Sequence, residues 1–143
     1  MTQRGAWPLD EAWDWAHQNA RALDSEVRRT ASWLPPATEE LLLAARASAL
    51  SRWYPSFSHH CLRFTEGPPL WTPGGREDVR EAAGFLCCAS DRDGGGNGTV
   101  FLAWSGLAFR KPDPVLILTT PVAADAVHAL VGLLAGEPDQ QRG

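Results

Sequence analysis

Between Trp53 and Phe64 the hydrophobic pattern of this chain changes period. Before that stretch apolar residues recur every three or four positions; after it they alternate or come in short runs. A strand cannot put the first pattern on one face, nor a helix the second, so WYPSFSHHCLRF marks the junction of a helical half and a sheet-forming half. Pro55 supplies the break, because proline removes an amide donor and pushes its predecessor out of helical geometry. The alternating pattern begins near His59. The expected fold is α+β, a helical hairpin over residues 1–53 followed over 54–143 by a mostly antiparallel sheet of about four strands and a C-terminal helix.

From Pro8 to Leu34 the residues Leu9, Trp13, Ala16, Ala20, Leu23, Val27 and Leu34 line one face of a helix. Asp10, Glu11 and Asp14 lie at its start and Arg28 and Arg29 near its end, where the helix dipole favours each sign. Trp15 sits about 200° from Trp13 on the wheel, so the two indoles cannot share a face. Pro35 and Pro36 end this helix. A second is expected from Thr38, as N-cap, to Trp53, with Leu43, Ala47, Leu50 and Tyr54 as its stripe and an antiparallel packing on the first.

After the junction, Glu66 to Arg76 reads as a loop, with three prolines and three glycines. Gly84 to Ser90 and Thr99 to Trp104 read as a hairpin with the flexible tip DRDGGGNG. That tip lacks the lysine of a phosphate-binding loop, and Asp91 and Asp93 lack the remaining ligands of a calcium loop. Val115 to Leu118 is a further strand, and Thr119-Thr120-Pro121 opens a helix over Val122 to Ala135, with Val127, Leu130, Val131 and Leu134 on its inward face, Gly136 as C-cap and the last seven residues frayed.

At 143 residues the chain is the size of one domain with its own core. A net charge of -4 argues against nucleic acid as a partner, which a basic face would recognise. No run reaches the roughly 18 apolar residues that span a bilayer, and no signal-peptide core opens the chain, so no membrane association and a cytoplasmic location are expected. Cys61, Cys87 and Cys88 are expected as free thiols, because neighbouring strand residues point to opposite faces. For the same reason His59, His60 and Cys61 diverge, and with no spaced partner motif neither a metal nor another cofactor is expected.

The junction carries the densest chemistry. On a strand His59, Cys61 and Arg63 share one face while His60, Leu62 and Phe64 share the packing face. His59 can act as acid or base and Arg63 can hold an anion or a carbonyl oxygen. Trp53 and Tyr54 would wall such a site, with Ser58 and Cys61 lining it. The plainer alternative has His59 hydrogen-bonded to backbone and Arg63 on a surface acid. A thiol nucleophile at Cys61, served by His59 or His128, competes with Cys61 as a small core residue.

The stretch LLLAARASALSRWYPSFSHHCLRF resembles a family of uncharacterised natural-product biosynthesis proteins, whose pattern is a leucine-rich helix ending in Leu-Tyr-Pro-Phe-Thr-Ser-His, two residues, then Leu-Arg-Phe. Tyr54, Pro55, Ser58, His59, Leu62, Arg63 and Phe64 match it; Ser56, Phe57 and His60 depart from it. VLILTTPVAADAVHALVGLLA looks like the family's closing strand and helix, so the resemblance spans about Leu41 to Ala135 and leaves 1–37 outside. It implies a place in gene clusters for modified peptides or other secondary metabolites and assigns no reaction. Three functions follow as expectations: a small tailoring or accessory protein acting on a small molecule or precursor peptide; a non-catalytic module binding a peptide or partner biosynthetic enzyme through a sheet edge or the Trp15 face; and a small immunity or inhibitor protein. Catalysis and a homodimer are both left open by the residues. Seven tryptophans suit a flat, apolar substrate as well as a core.

Overall fold

A computed structural model describes residues 7–30, 35–58, 60–72, 75–90 and 98–142, with side chains through Gly136. In order come α1 (Leu9–Thr30), α2 (Thr38–Arg46), a 3₁₀ turn (Ala49–Arg52), β1 (Tyr54–Ser58), β2 (Cys61–Thr65), β3 (Gly84–Ser90), β4 (Thr99–Ser105), β5 (Val115–Thr120) and α3 (Ala123–Arg142). The strands form one antiparallel sheet in chain order, with β1 and β5 at its edges. The helices cover one face of it, the α+β layout expected. Leu62, Phe64, Leu86, Cys88, Phe101 and Ala103 of the sheet meet Trp13, Ala16, Ala20, Leu41, Leu42, Ala45, Val127 and Leu130 of the helices in a shared core.

In α1 the predicted face is inside: Trp13, Ala16, Ala20 and Val27 are buried, and the Trp13 indole donates to the carbonyls of Ser51 and Trp53 at 3.1 Å. Trp15 is half-buried, its ring edge-on to Trp7 at 5.4 Å. Leu34 and the tip Asp91 to Asn97 lie outside the described residues.

The second helix differs from the sequence expectation. It stops at Arg46, Ser48 breaks it, and a separate 3₁₀ turn follows, its Leu50 N–H donating to Ser48 Oγ at 3.0 Å. This break resets the helical phase, so Leu43, grouped above with Leu50 and Tyr54, is 53% exposed while Leu41, Leu42 and Ala45 are buried. Thr38 is inside the first turn, not its N-cap; that position belongs to Ala37, whose methyl cannot accept a hydrogen bond. Asp24 of α1 does the capping across the helix pair. Its Oδ1 accepts from Thr38 N–H at 2.9 Å and its Oδ2 from Glu39 N–H at 3.1 Å, with the Thr38 hydroxyl also against Oδ1. Two of the amides that a helix start leaves unpaired are thereby satisfied inside the protein. Arg21 with Glu39 (2.7 Å) and Arg46 with Asp14 (3.1 Å) extend the antiparallel contact along the exposed flank.

The sheet has five strands because Tyr54–Ser58, read above as a break, is itself a strand. Pro55 is tolerated there since an edge strand can dispense with a donor on its outer side. Ser58 faces Cys61 across the hairpin, and His60 stands in the turn between them. His60 takes φ 71° and is half-buried at that turn, so it is not drawn into the core as the strand alternation implied.

In α3, Val127, Leu130 and Leu134 are buried in the core as expected, and Val131 is half-buried against it. Gly84 of β3 is required by that packing: a Cβ there would stand 2.4 Å from Leu130 Cδ1 and 2.9 Å from the Trp104 carbonyl oxygen. Gly136 is not a C-cap, because the helix continues to Arg142.

Replacing Asp24 by alanine strands the two amides it caps and should lower stability by about 2–3 kcal/mol, read from the urea midpoint, with Asp24→Asn losing less. A loss below about 0.5 kcal/mol would mean that α2 does not depend on this cap.

Candidate functional site

Strand alternation in β2 separates two environments. Leu62 and Phe64 enter the helix-covered core, while Cys61 and Arg63 project to the opposite face. There the Arg63 guanidinium meets the Glu81 carboxylate in a two-pronged ion pair, Nε to Oε2 at 2.7 Å and Nη2 to Oε1 at 2.6 Å. The two side chains are only 9% and 11% exposed. Glu81 is held opposite because residues 80–82 run alongside β2: Ala82 N–H donates to the Phe64 carbonyl at 2.8 Å and Glu66 N–H to the Arg80 carbonyl at 2.9 Å. The Trp71 ring lies 4.6 Å from the guanidinium carbon and covers its flat side.

This pair forms part of the wall of a cavity of about 440 Å³. Arg76, Arg80 and Arg110 also line it, with Trp71, Leu107 and Glu77 among the remaining residues. Arg80 pairs with Glu66 at 3.0 Å and its guanidinium lies 5.8 Å from the Trp53 ring; Arg76 pairs with Asp78 at 3.3 Å. Both ion pairs are solvent-exposed, and exposed pairs contribute little and exchange partners readily. Among the described residues no carboxylate pairs with Arg110. The cavity therefore presents three adaptable guanidinium groups beside one that is fixed.

On the other side of Trp71 lies an aromatic recess of about 210 Å³, bounded by Trp15, Asn19, Leu23, Phe57 and His60. Trp71 lines both hollows, so its loop closes round the β1 edge of the sheet. Ser56 of β1, opposite Arg63 in register, is fully buried, and its hydroxyl has no hydrogen-bond partner among the described residues.

Of the residues singled out from sequence, Arg63 lines the cavity but is occupied by Glu81. His59 lies outside the described residues. The Tyr54 hydroxyl donates to the Trp7 carbonyl, and burial pushes its pKa up. Trp53 reaches the cavity only through Arg80. Ser58 faces Cys61 at the hairpin end, and Cys61 opens into a separate apolar pocket. Trp71, Arg76, Arg80, Glu81 and Arg110 were missed, since they lie in segments with no periodicity. The available signal was a tryptophan with arginines and acids inside the Pro/Gly-rich stretch from Glu66 to Glu81. Among the described residues no three His, Cys, Asp or Glu side chains gather in a metal-binding arrangement, and no helix is long and apolar enough to cross a membrane.

No protein-family model, curated protein or solved structure matches this chain.

Breaking the buried pair from one side leaves an uncompensated charge, so Arg63→Ala should cost about 3–5 kcal/mol of unfolding free energy. The double variant Arg63→Met with Glu81→Leu should recover most of that loss. If Arg63→Ala costs less than about 1 kcal/mol, Arg63 is not a structural element of this face.

Proposed function

We propose that the protein is a small cytoplasmic accessory or tailoring component of natural-product biosynthesis that binds a flat, anionic small molecule, or an acidic and aromatic stretch of a precursor peptide, in the arginine-lined cavity. One observation carries the binding part: four of the chain's 13 basic residues converge with Trp71 on a single cavity in a protein of net charge -4. Guanidinium groups bind carboxylates in a planar, two-pronged manner, and an indole beside them receives an aromatic ring. The biosynthetic context is supported by the resemblance of the junction alone.

A second reading, a module that binds a peptide or partner enzyme by strand addition, is favoured by β5. This edge strand exposes Val115, Leu116 and Ile117 at 64%, 44% and 40%. Such an edge offers both unpaired backbone groups and apolar side chains to an extended partner.

Melting-temperature titrations with indole-3-acetate and with a Glu-Trp-Glu peptide test the cavity. Both should raise the melting temperature while indole-3-acetamide does not. Arg110→Glu should weaken binding at least about tenfold, since one charged hydrogen bond is lost, with the melting temperature of the free protein unchanged. Equal binding by acid and amide, or by Arg110→Glu and wild type, would refute the anion site. Peptide binding that survives Arg110→Glu but is lost in Ile117→Lys would support the strand-addition reading instead.

A further inference from the structure

The face that carries Arg63 also carries two thiols, and they meet. Leu62 pairs with Leu86 in the antiparallel β2–β3 ladder, so Cys61 stands directly across from Cys87. Residues opposite each other in such a ladder have Cα atoms about 4.5–5.5 Å apart, inside the range that a disulfide spans. The Trp104 indole N–H donates to the Cys87 sulfur at 3.2 Å. Both cysteines are half-buried. They open into a pocket of about 330 Å³ whose other walls are Phe85, Trp104, Ala108, Phe109 and Pro114. Apart from the sulfurs the lining is almost entirely apolar. Phe85 and Trp104 stack nearly parallel, 5.8 Å apart, so one wall is flat.

We propose that Cys87 and Cys61 form a dithiol site that exchanges with small disulfides bearing a flat apolar group, the group seating against Phe85, Trp104 and Phe109.

The two sulfurs differ in role. The neighbouring Cys61 thiol, with the N–H of Trp104 also contributing, holds the Cys87 pKa below the ordinary thiol value against the opposing effect of burial. The neighbouring Cys87 sulfur, then burial, pushes the Cys61 thiol far up. Cys87, whose sulfur alone receives the Trp104 N–H, is the attacking group and Cys61 across the ladder the resolving one. In the first step the Cys87 thiolate attacks one sulfur of R–S–S–R, the S–S bond breaks, and RS⁻ leaves and takes a proton from solvent. The charge that kept Cys61 protonated is then gone. Cys61 releases its proton to solvent, attacks Cys87 Sγ and expels the second RS⁻, which is protonated in turn. Two protein thiols are oxidised to a Cys61–Cys87 disulfide and one small disulfide is reduced to two thiols. Cys88 provides an internal control: it points into the helix-covered core, and burial pushes its pKa up to about 12.

The site shares no lining residue with the arginine cavity and stands or falls apart from it. Dipyridyl disulfide is a suitable probe because it is flat, uncharged and chromogenic. Native protein should release two equivalents of thiopyridone, keep no adduct and lose the mass of two hydrogens, with peptide mapping placing the bond between Cys61 and Cys87. Cys61→Ser should release one equivalent and retain a mixed disulfide on Cys87. Cys87→Ser should lose the fast phase by at least about tenfold. Relative to the rate ratio in urea, folded protein should prefer dipyridyl over hydroxyethyl disulfide, and Phe109→Ser should reduce that preference. The proposal is overturned if Cys88 is modified first in the unmutated protein, if wild type retains a stable adduct, or if Cys87→Ser reacts as fast as wild type. A folded-state preference no greater than that in urea overturns the apolar specificity. Mapping in the unmutated chain keeps the outcome independent of how well the serine variants fold.

Discussion

The pairing of Arg63 with Glu81 is the interaction on which the functional face depends. Moving two charges away from water costs several kcal/mol each, and the cost is offset only where geometry is good and the remaining donors and acceptors are met. Here the guanidinium and carboxylate meet edge to edge at 2.6 and 2.7 Å, and Trp71 covers the flat side of the cation. Because Glu81 belongs to the segment leading into β3 and Arg63 to β2, the pair pins that segment along the strand. Trp71, lying on Arg63, in turn fixes the boundary between the arginine cavity and the aromatic recess beside His60.

The same strand separates two chemistries by its pleat. Leu62 and Phe64 face the helices, while Arg63 and Cys61 face away, two residues apart on one side. At the Arg63 end the surroundings are cationic and partly open; at the Cys61 end they are apolar, walled by Phe85 and Trp104. The connection between β4 and β5 serves both, sending Leu107 and Arg110 to the first hollow and Ala108 and Phe109 to the second.

Elements whose pattern repeats within themselves were legible in the sequence. The Trp13, Ala16, Ala20, Val27 face of α1, the apolar runs of β3, β4 and β5 and the Val127, Leu130, Leu134 face of α3 follow from local periodicity, and so does the division of β2 into two faces. What escaped depends on partners distant in the chain. Nothing local marks Asp24 as the cap of α2, because it lies in the middle of another helix. Three successive leucines could not reveal that Leu43 would be the exposed one once the break at Ser48 uncoupled α2 from Leu50. Pro55 suggested an interruption where an edge strand runs, and the sequence between Ser58 and Cys61 lacks the glycine or asparagine that usually signals a hairpin turn. The arginine cavity draws on β2, an aperiodic loop and the β4–β5 connection, so only its Arg63 corner was visible beforehand. Likewise Cys61 and Cys87 are 26 positions apart in the chain, and only the β2–β3 register brings them together.

The central claim is that Arg63 is a fixed structural cation beside adaptable ones. Arginine side-chain Nε–H resonances, assigned by single Arg→Lys variants, test it directly through their exchange with water and their response to indole-3-acetate. The account predicts that Arg63 Nε–H is protected from exchange and barely shifts on titration, while Arg76, Arg80 and Arg110 exchange rapidly and move together. An Arg63 resonance that exchanges like the others, or that shifts most as the anion is added, would contradict it.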